Sequence, residues 1–166
     1  MNNVPRHTTL PFPPYTYVPG SGTPHPVSDS RGHMHGITHV IPEPLDPLHW
    51  PECETYLYAV DLFNHGFYWE AHEAWESLWH AAGHRGTIAD FLKGLIKLAA
   101  AGVKFREGNS IGVQRHAVRA EELLGSIPEV LYCGIDLAAL IAQASELEAE
   151  ISEHYSLVIE LVPLPA

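Results

Sequence analysis

Histidine and carboxylate residues recur within one short stretch of the chain, between Trp69 and His80. His72 and Glu76 are four residues apart, a spacing that on a helix places two side chains one above the other. An imidazole and a carboxylate placed in this way can share a metal ion, and Glu73 or His80 would lie next on the same face. The pattern therefore indicates a candidate divalent-metal site with His72 and Glu76 as its first ligands.

Two ligands on one helix do not complete such a site, because zinc and hard cations take further protein ligands. The run His72-Glu73-Ala74-Trp75-Glu76 begins like the zinc-protease helix motif but ends in glutamate where that motif needs a second histidine. It does not predict a zinc protease. The missing ligands could instead come from the N-terminal segment, which contains Asp29, His33, His35 and His39.

A second interpretation of the same stretch is a hydrogen-bonded network inside the protein. Buried charges must be paired, since an unpaired one costs several kcal/mol. Lysine, arginine and histidine residues of the following helices could supply the partners, and ion pairs of Lys93 and Lys97 with Glu73 and Glu76 would oppose cation binding. The residues predicted to form this motif or pocket are Trp69, Glu70, His72, Glu73, Glu76, Trp79, Lys93, Lys97 and Arg115.

The hydrophobic pattern predicts an all-α fold, a bundle of about five helices over residues 51–166. On the second helix, from about Phe67 to Ala82, Ala71, Trp75 and Leu78 would face the core, opposite His72 and Glu76. Thr87 would cap the third helix. The stretch Gly108-Asn109-Ser110 would form a turn and cap before the fourth helix, and Asp136 would cap the fifth. The fifth helix would continue to Ile151, and the apolar segment 158–162 would be strand-like or docked.

Residues 1–50 have a different composition and hold most of the chain's prolines. Proline fixes φ and removes a backbone donor, which disfavours both a helix and a central strand. This Pro/His-rich arm should therefore be extended. Because it also contains Phe12, Tyr15 and Tyr17, it should lie in part across the helical domain or a partner subunit.

The formal charge of −11 argues against a nucleic-acid partner, which would require net positive charge. It also disfavours anionic membrane surfaces. Cys53 and Cys133 are far apart in the sequence and in no metal-type pairing, and no apolar run reaches the roughly 20 residues of a membrane span. A cytoplasmic location with reduced thiols is expected, with a homo-oligomer and a small or anionic ligand left open.

The segment from Phe63 to Trp79, FNHGFYWEAHEAWESLW, resembles an uncharacterised bacterial and archaeal family, domain of unknown function 309. The hallmark of that family is His, three residues, Glu, two residues, then Trp or Tyr, here His72, Glu76 and Trp79. The segment from Leu92 to Ala101 resembles the next helix of the family. The resemblance extends over about residues 56–124. It implies an all-α bundle and a motif suspected of binding metal, but no reaction.

The function therefore stays open between several classes. One is a non-catalytic helical module in which the motif is an interior polar network or a ligand pocket. Another is a metal-binding protein, with a metal-dependent hydrolase as its catalytic form, in which His72 and Glu76 are ligands and Glu73 is a ligand or general base. A third is a small-ligand or anion-binding module that uses Lys93, Lys97 and Arg115.

Overall fold

The computed structural model of the protein describes residues 3–149 and 155–165. Within these residues the chain forms five α-helices, which confirms the predicted all-α bundle. Ile151, predicted to belong to the fifth helix, lies outside the described residues. The helices are α1 (Glu54–Asn64), α2 (Tyr68–Ala81), α3 (Thr87–Arg106), α4 (Ser110–Gly125) and α5 (Leu137–Ala149), and a 3₁₀ helix, Trp50–Glu52, precedes α1.

Each helix packs against the next one in the sequence, so that α2 lies between α1 and α3. The face of α2 predicted to be apolar is fully enclosed, with Ala71, Trp75 and Leu78 all buried. Trp75 contacts Phe63 of α1, with ring centroids 5.7 Å apart. Burial of this face fixes the rotation of α2, and the rotation in turn places the ionisable residues of α2 toward the surface and the arm.

The helix ends follow local capping chemistry, with one correction to the sequence-based prediction. The side chain of Asn109 accepts a hydrogen bond from Gly112 N at 2.9 Å, and that of Asp136 accepts one from Ala139 N at 3.0 Å. Thr87, predicted to cap α3, is instead the first residue of that helix. The cap position belongs to Gly86, whose φ of 91° is accessible to glycine, and no side chain bonds the helix end there.

A small antiparallel hairpin, absent from the sequence-based prediction, joins α4 to α5. Strands β1 (Leu131–Tyr132) and β2 (Ile135–Asp136) are connected through Cys133 and Gly134, both at positive φ. The segment 155–165 then docks on this region. Val162 N donates to Gly134 O, and the backbone of Ile159 exchanges two hydrogen bonds of 2.8 Å with the side chain of Asn64.

The described residues before Trp50 contain no helix or strand, and they cross the outer surface of α1 and α2. Phe12 stacks on Phe67 with a centroid distance of 4.9 Å, and the hydroxyl of Tyr58 donates to Pro11 O at 2.8 Å. The arm is therefore packed onto the bundle beside the ionisable face of α2. Among the described helices, none is long and apolar enough to serve as a membrane span.

Candidate functional site

His72, Glu73 and Glu76 bring three potential metal ligands together on α2. The Nδ1 atom of His72 lies 3.4 Å from Oε1 of Glu73 and 3.4 Å from Oε2 of Glu76. One ligand atom from each of the three residues lies within 4.8 Å of the other two. We call this group the α2 cluster. The structure thus places Glu73 beside the two residues that the sequence first indicated.

The side chains of the α2 cluster lie close together, but they do not satisfy one another by hydrogen bonds. His72 Nδ1 is shielded from solvent, yet it has no hydrogen-bond partner, since neither carboxylate lies in the direction that a hydrogen bond requires. The three side chains remain 28%, 31% and 37% exposed. The cluster is therefore a partly open acceptor site at the surface of the bundle, and not an interior network.

Two more histidines lie beyond the cluster, His80 in the last turns of α2 and His84 just after the helix ends. Nε2 of His80 is 3.5 Å from the other oxygen of Glu76, Oε1. Nδ1 of His80 is 2.6 Å from Nε2 of His84, whose ring packs on Trp79 at a centroid distance of 4.1 Å. This chain of contacts limits the rotation of the Glu76 carboxylate and leaves Oε2 facing His72. Supporting groups of this kind commonly orient metal-binding carboxylates.

The lysines of α3 do not pair with the cluster. Within residues 3–149 and 155–165, neither Lys93 nor Lys97 forms the predicted ion pair with Glu73 or Glu76. The ammonium of Lys93 instead lies over the ring of Trp79, 4.8 Å from its centroid. This cation–π contact holds the charge at the end of α2, so that the predicted electrostatic opposition to a bound cation is reduced.

Arg115 and Trp69 were also predicted for the site. Arg115 is exposed on α4. The ring of Trp69 contacts the rings of Tyr17 and His25 of the arm, at centroid distances of 5.5 and 5.8 Å. The tryptophan therefore helps to hold the arm.

Glu70 is buried, unlike the other carboxylates predicted for the site, and its function in the structure is to bind the arm. Its oxygens accept hydrogen bonds from Thr16 Oγ1 at 2.8 Å, Tyr17 N at 2.9 Å and His33 Nε2 at 3.2 Å. These donors satisfy the buried carboxylate. Among the arm histidines proposed as extra ligands, His33 is therefore bound to Glu70 and does not reach His72.

Asp61 of α1, which the sequence did not single out, performs the same function one helix away. This fully buried carboxylate accepts hydrogen bonds from His7 N at 2.7 Å, Thr8 N at 2.9 Å and Thr8 Oγ1 at 2.8 Å. Arg6 Nε lies 3.6 Å from Oδ2. An aspartate between the apolar residues Val60 and Leu62 is a signal that could have identified a buried acceptor.

Two clefts lie between the arm and α2. The first, which we call the arm cleft, has a volume of about 300 Å³ and is bordered by α1, by α2 and by the arm residues His33, Met34 and Val40. The second, which we call the cluster cleft, has about 290 Å³ and includes Glu76 and His80. Both clefts are lined by His39, Val40, Glu73 and Ser77. The arm thus brings His39, though not His35, to the rim of the α2 cluster.

His116 of α4 is an additional titratable group near this face. Burial lowers the pKa of His116 below 6.5, and the positive charges of Lys97, Lys104 and His72 lower it further. The imidazole therefore resists protonation. It gives this region a neutral polar group where the sequence suggested another charged partner for the glutamates.

The helices that carry the cluster lie in a part of the chain that is similar to a known protein family. Residues 56–116 match the family model described as a domain of unknown function (DUF309). The match confirms the resemblance seen in the sequence. It covers α2 and α3 completely, with most of α1 and part of α4, and so contains the whole α2 cluster but not the arm. A search of curated proteins found no match to the chain.

Proposed function

We propose that the DUF309 segment of this protein binds one divalent transition-metal ion through His72, Glu73 and Glu76. The observation that carries the proposal is the convergence on His72 Nδ1, an unbonded acceptor 3.4 Å from both carboxylates. Bonds of about 2.1 Å to a tetrahedral ion set neighbouring ligand atoms about 3.4 Å apart. The two distances from His72 Nδ1 therefore suit an ion of that size, and the two carboxylate oxygens lie within 4.8 Å of each other.

The chemistry of the ligand set narrows the class of metal. One imidazole nitrogen and two carboxylate oxygens suit Zn²⁺, Mn²⁺ or Fe²⁺ better than a soft ion that prefers sulfur. The two carboxylates would also offset the charge of the ion in a partly exposed site. When bound, such an ion supplies Lewis acidity and can activate a water molecule. The protein residues then position the ion, and the cluster cleft gives access to it.

The alternative of a polar network in the interior suits Glu70 and Asp61 better than it suits the cluster. Those two carboxylates are buried and fully hydrogen-bonded to the arm, as such a network requires. His72, Glu73 and Glu76 are half-buried, and the shielded Nδ1 atom of His72 has no hydrogen-bond partner. This difference supports metal binding by the α2 cluster and anchoring of the arm by Glu70 and Asp61.

The test is metal stoichiometry in protein purified without a histidine tag. We expect about one Zn²⁺ or Mn²⁺ per chain by elemental mass spectrometry after loading and desalting, and loss of that metal in His72→Ala and in Glu76→Gln. His49→Ala is the matched control, because His49 forms an exposed imidazole–carboxylate pair with Asp46 at 2.9 Å. Equal metal retention by all variants, or none by the wild type, would refute the proposal.

A further inference from the structure

The arm cleft combines a mostly apolar lining with carboxylates of α2. Met34 and Val40 of the arm, Leu62 of α1 and Ala74 of α2 supply apolar surface. Glu70 and Glu73 supply two carboxylates. Its volume of about 300 Å³ is that of roughly ten water molecules and lies at the small end of ligand sites.

The carboxylates that line the arm cleft have no lysine or arginine beside them among the described residues. The carboxylate of Glu70 is already satisfied by Thr16, Tyr17 and His33, so it contributes charge but little hydrogen-bonding capacity. Within the part of the chain that the structure describes, Glu73 forms one close polar contact, between Oε1 and His72 Nδ1. Its remaining acceptor capacity is therefore available to a ligand.

We propose that the arm cleft binds a small organic cation, a primary ammonium group carried on a hydrocarbon body. The ammonium would pair with Glu73, and the hydrocarbon would lie against the apolar residues shared between arm and helices. Low-dielectric walls strengthen the attraction of the carboxylates for a cation. A carboxylate ligand of the same shape would be repelled, and a neutral one would bind through its hydrocarbon body alone. The arm cleft shares Glu73 with the proposed metal site, but the inference does not require a bound metal.

The experiment compares three probes with one hydrocarbon body: 2-phenylethylamine, 2-phenylethanol and 3-phenylpropanoate. Titration calorimetry on the full chain with EDTA present keeps transition metals out of the measurement. We expect the amine to bind about tenfold or more tightly than the alcohol, and the acid to show no binding. Three equal affinities, or no binding of the amine, would overturn the proposal.

Variants at the rim that the two clefts share test whether the amine binds there. Val40 is 83% exposed in the arm, so Val40→Lys adds an ammonium at the cleft with little structural cost and should weaken the amine about tenfold. Ile37→Lys is the matched control, because Ile37 is 60% exposed and does not line this cleft. Equal effects of the two substitutions would place the amine elsewhere on the arm and overturn the assignment.

Two further variants separate this inference from the metal proposal. His72→Ala should lose metal but keep the affinity for the amine, because His72 does not line the arm cleft. Ala74→Leu should fill the cleft and abolish amine binding while metal stoichiometry is retained. Loss of amine binding in His72→Ala, with the fold intact by circular dichroism, would contradict the separation of the two sites.

Discussion

The backbone N–H of Tyr17 donates a hydrogen bond of 2.9 Å to the buried carboxylate of Glu70, 53 residues later in the chain. Together with Asp61, Glu70 converts a proline-rich segment without secondary structure into a docked part of the protein. Glu70→Gln should therefore loosen the arm, because an amide cannot accept from all three of the donors that face the carboxylate. Hydrogen bonds to buried charged groups contribute about 1.5–3 kcal/mol each.

The expected result of Glu70→Gln is a lower free energy of unfolding, by about 1.5–3 kcal/mol in urea titrations, and faster tryptic cleavage after the exposed Arg31. Glu129→Gln serves as the control because Glu129 is exposed. If the two variants resist trypsin equally, the carboxylate of Glu70 does not hold the arm.

The approach of α3 to the start of α2 depends on a glycine. A Cβ atom at Gly102 would lie 2.4 Å from the ring of Tyr68, which is itself fixed against Phe63 and Tyr155. Alanine favours a helix by about 1 kcal/mol over glycine. Overpacking costs about 1–3 kcal/mol and should exceed that gain because the ring cannot withdraw. Gly102→Ala should therefore lower the melting temperature.

Gly125, the last residue of α4, offers a control for this substitution because nothing lies within 4 Å of the position of its Cβ atom. Gly125→Ala should leave the melting temperature unchanged or raise it. Similar melting temperatures for the two variants would show that the contact between Gly102 and Tyr68 is not restrictive.

The register of α2 could be predicted from the sequence, because the period of Ala71, Trp75 and Leu78 identifies the buried face unambiguously. The sequence could not predict which of the neighbouring glutamates is buried. Glu70 and Glu73 lie close to the same boundary of the apolar face, and their burial differs because the arm supplies donors to one of them. Two of those donors, Thr16 Oγ1 and Tyr17 N, belong to residues more than 50 positions earlier in the chain, and no local pattern encodes their position.

The hairpin between α4 and α5 was missed for a different reason. Its strands have two residues each, too few to show an alternating pattern. Its turn places Cys133, a residue without turn preference, at a φ of 46°. The hydroxyl of Tyr56 in α1 donates to the carbonyl of Cys133 at 2.8 Å. A contact 77 residues apart thus supports the turn.

The depressed pKa of His116 predicts a specific pH dependence of stability. Below its ordinary pKa of 6.5 the unfolded chain binds a proton that the folded protein resists, because of burial and of Lys97, Lys104 and His72. The associated loss of stability begins as the pH falls through 6.5 and is complete below the lowered folded pKa. Above 6.5 this group has no effect.

His116→Gln should therefore lose less stability than the wild type when the pH is lowered from about 7.5 to about 5, as measured by urea midpoints with EDTA present. His39→Gln, at an exposed position of the arm, is the control and should follow the wild type. Parallel pH profiles for all three proteins would mean that His116 is not the group responsible.

The two thiols should differ strongly in reactivity. Burial raises the pKa of Cys133 to about 12, whereas Cys53 is half-buried at the start of α1. Only the thiolate attacks an alkylating reagent, and at pH 8 a thiol of that pKa is about one part in ten thousand ionised. In native protein, iodoacetamide should therefore modify Cys53 well before Cys133, as followed by peptide mass spectrometry.

Denaturant provides the internal control, since unfolding removes the burial that protects Cys133 and should make the two alkylation rates similar. In Cys53→Ser, the remaining thiol then reports on opening of the hairpin and of its contact with Tyr56. Alkylation of that thiol should increase with denaturant in step with unfolding. Rapid alkylation in native buffer would contradict the buried position of Cys133 and the docking of the hairpin on α1.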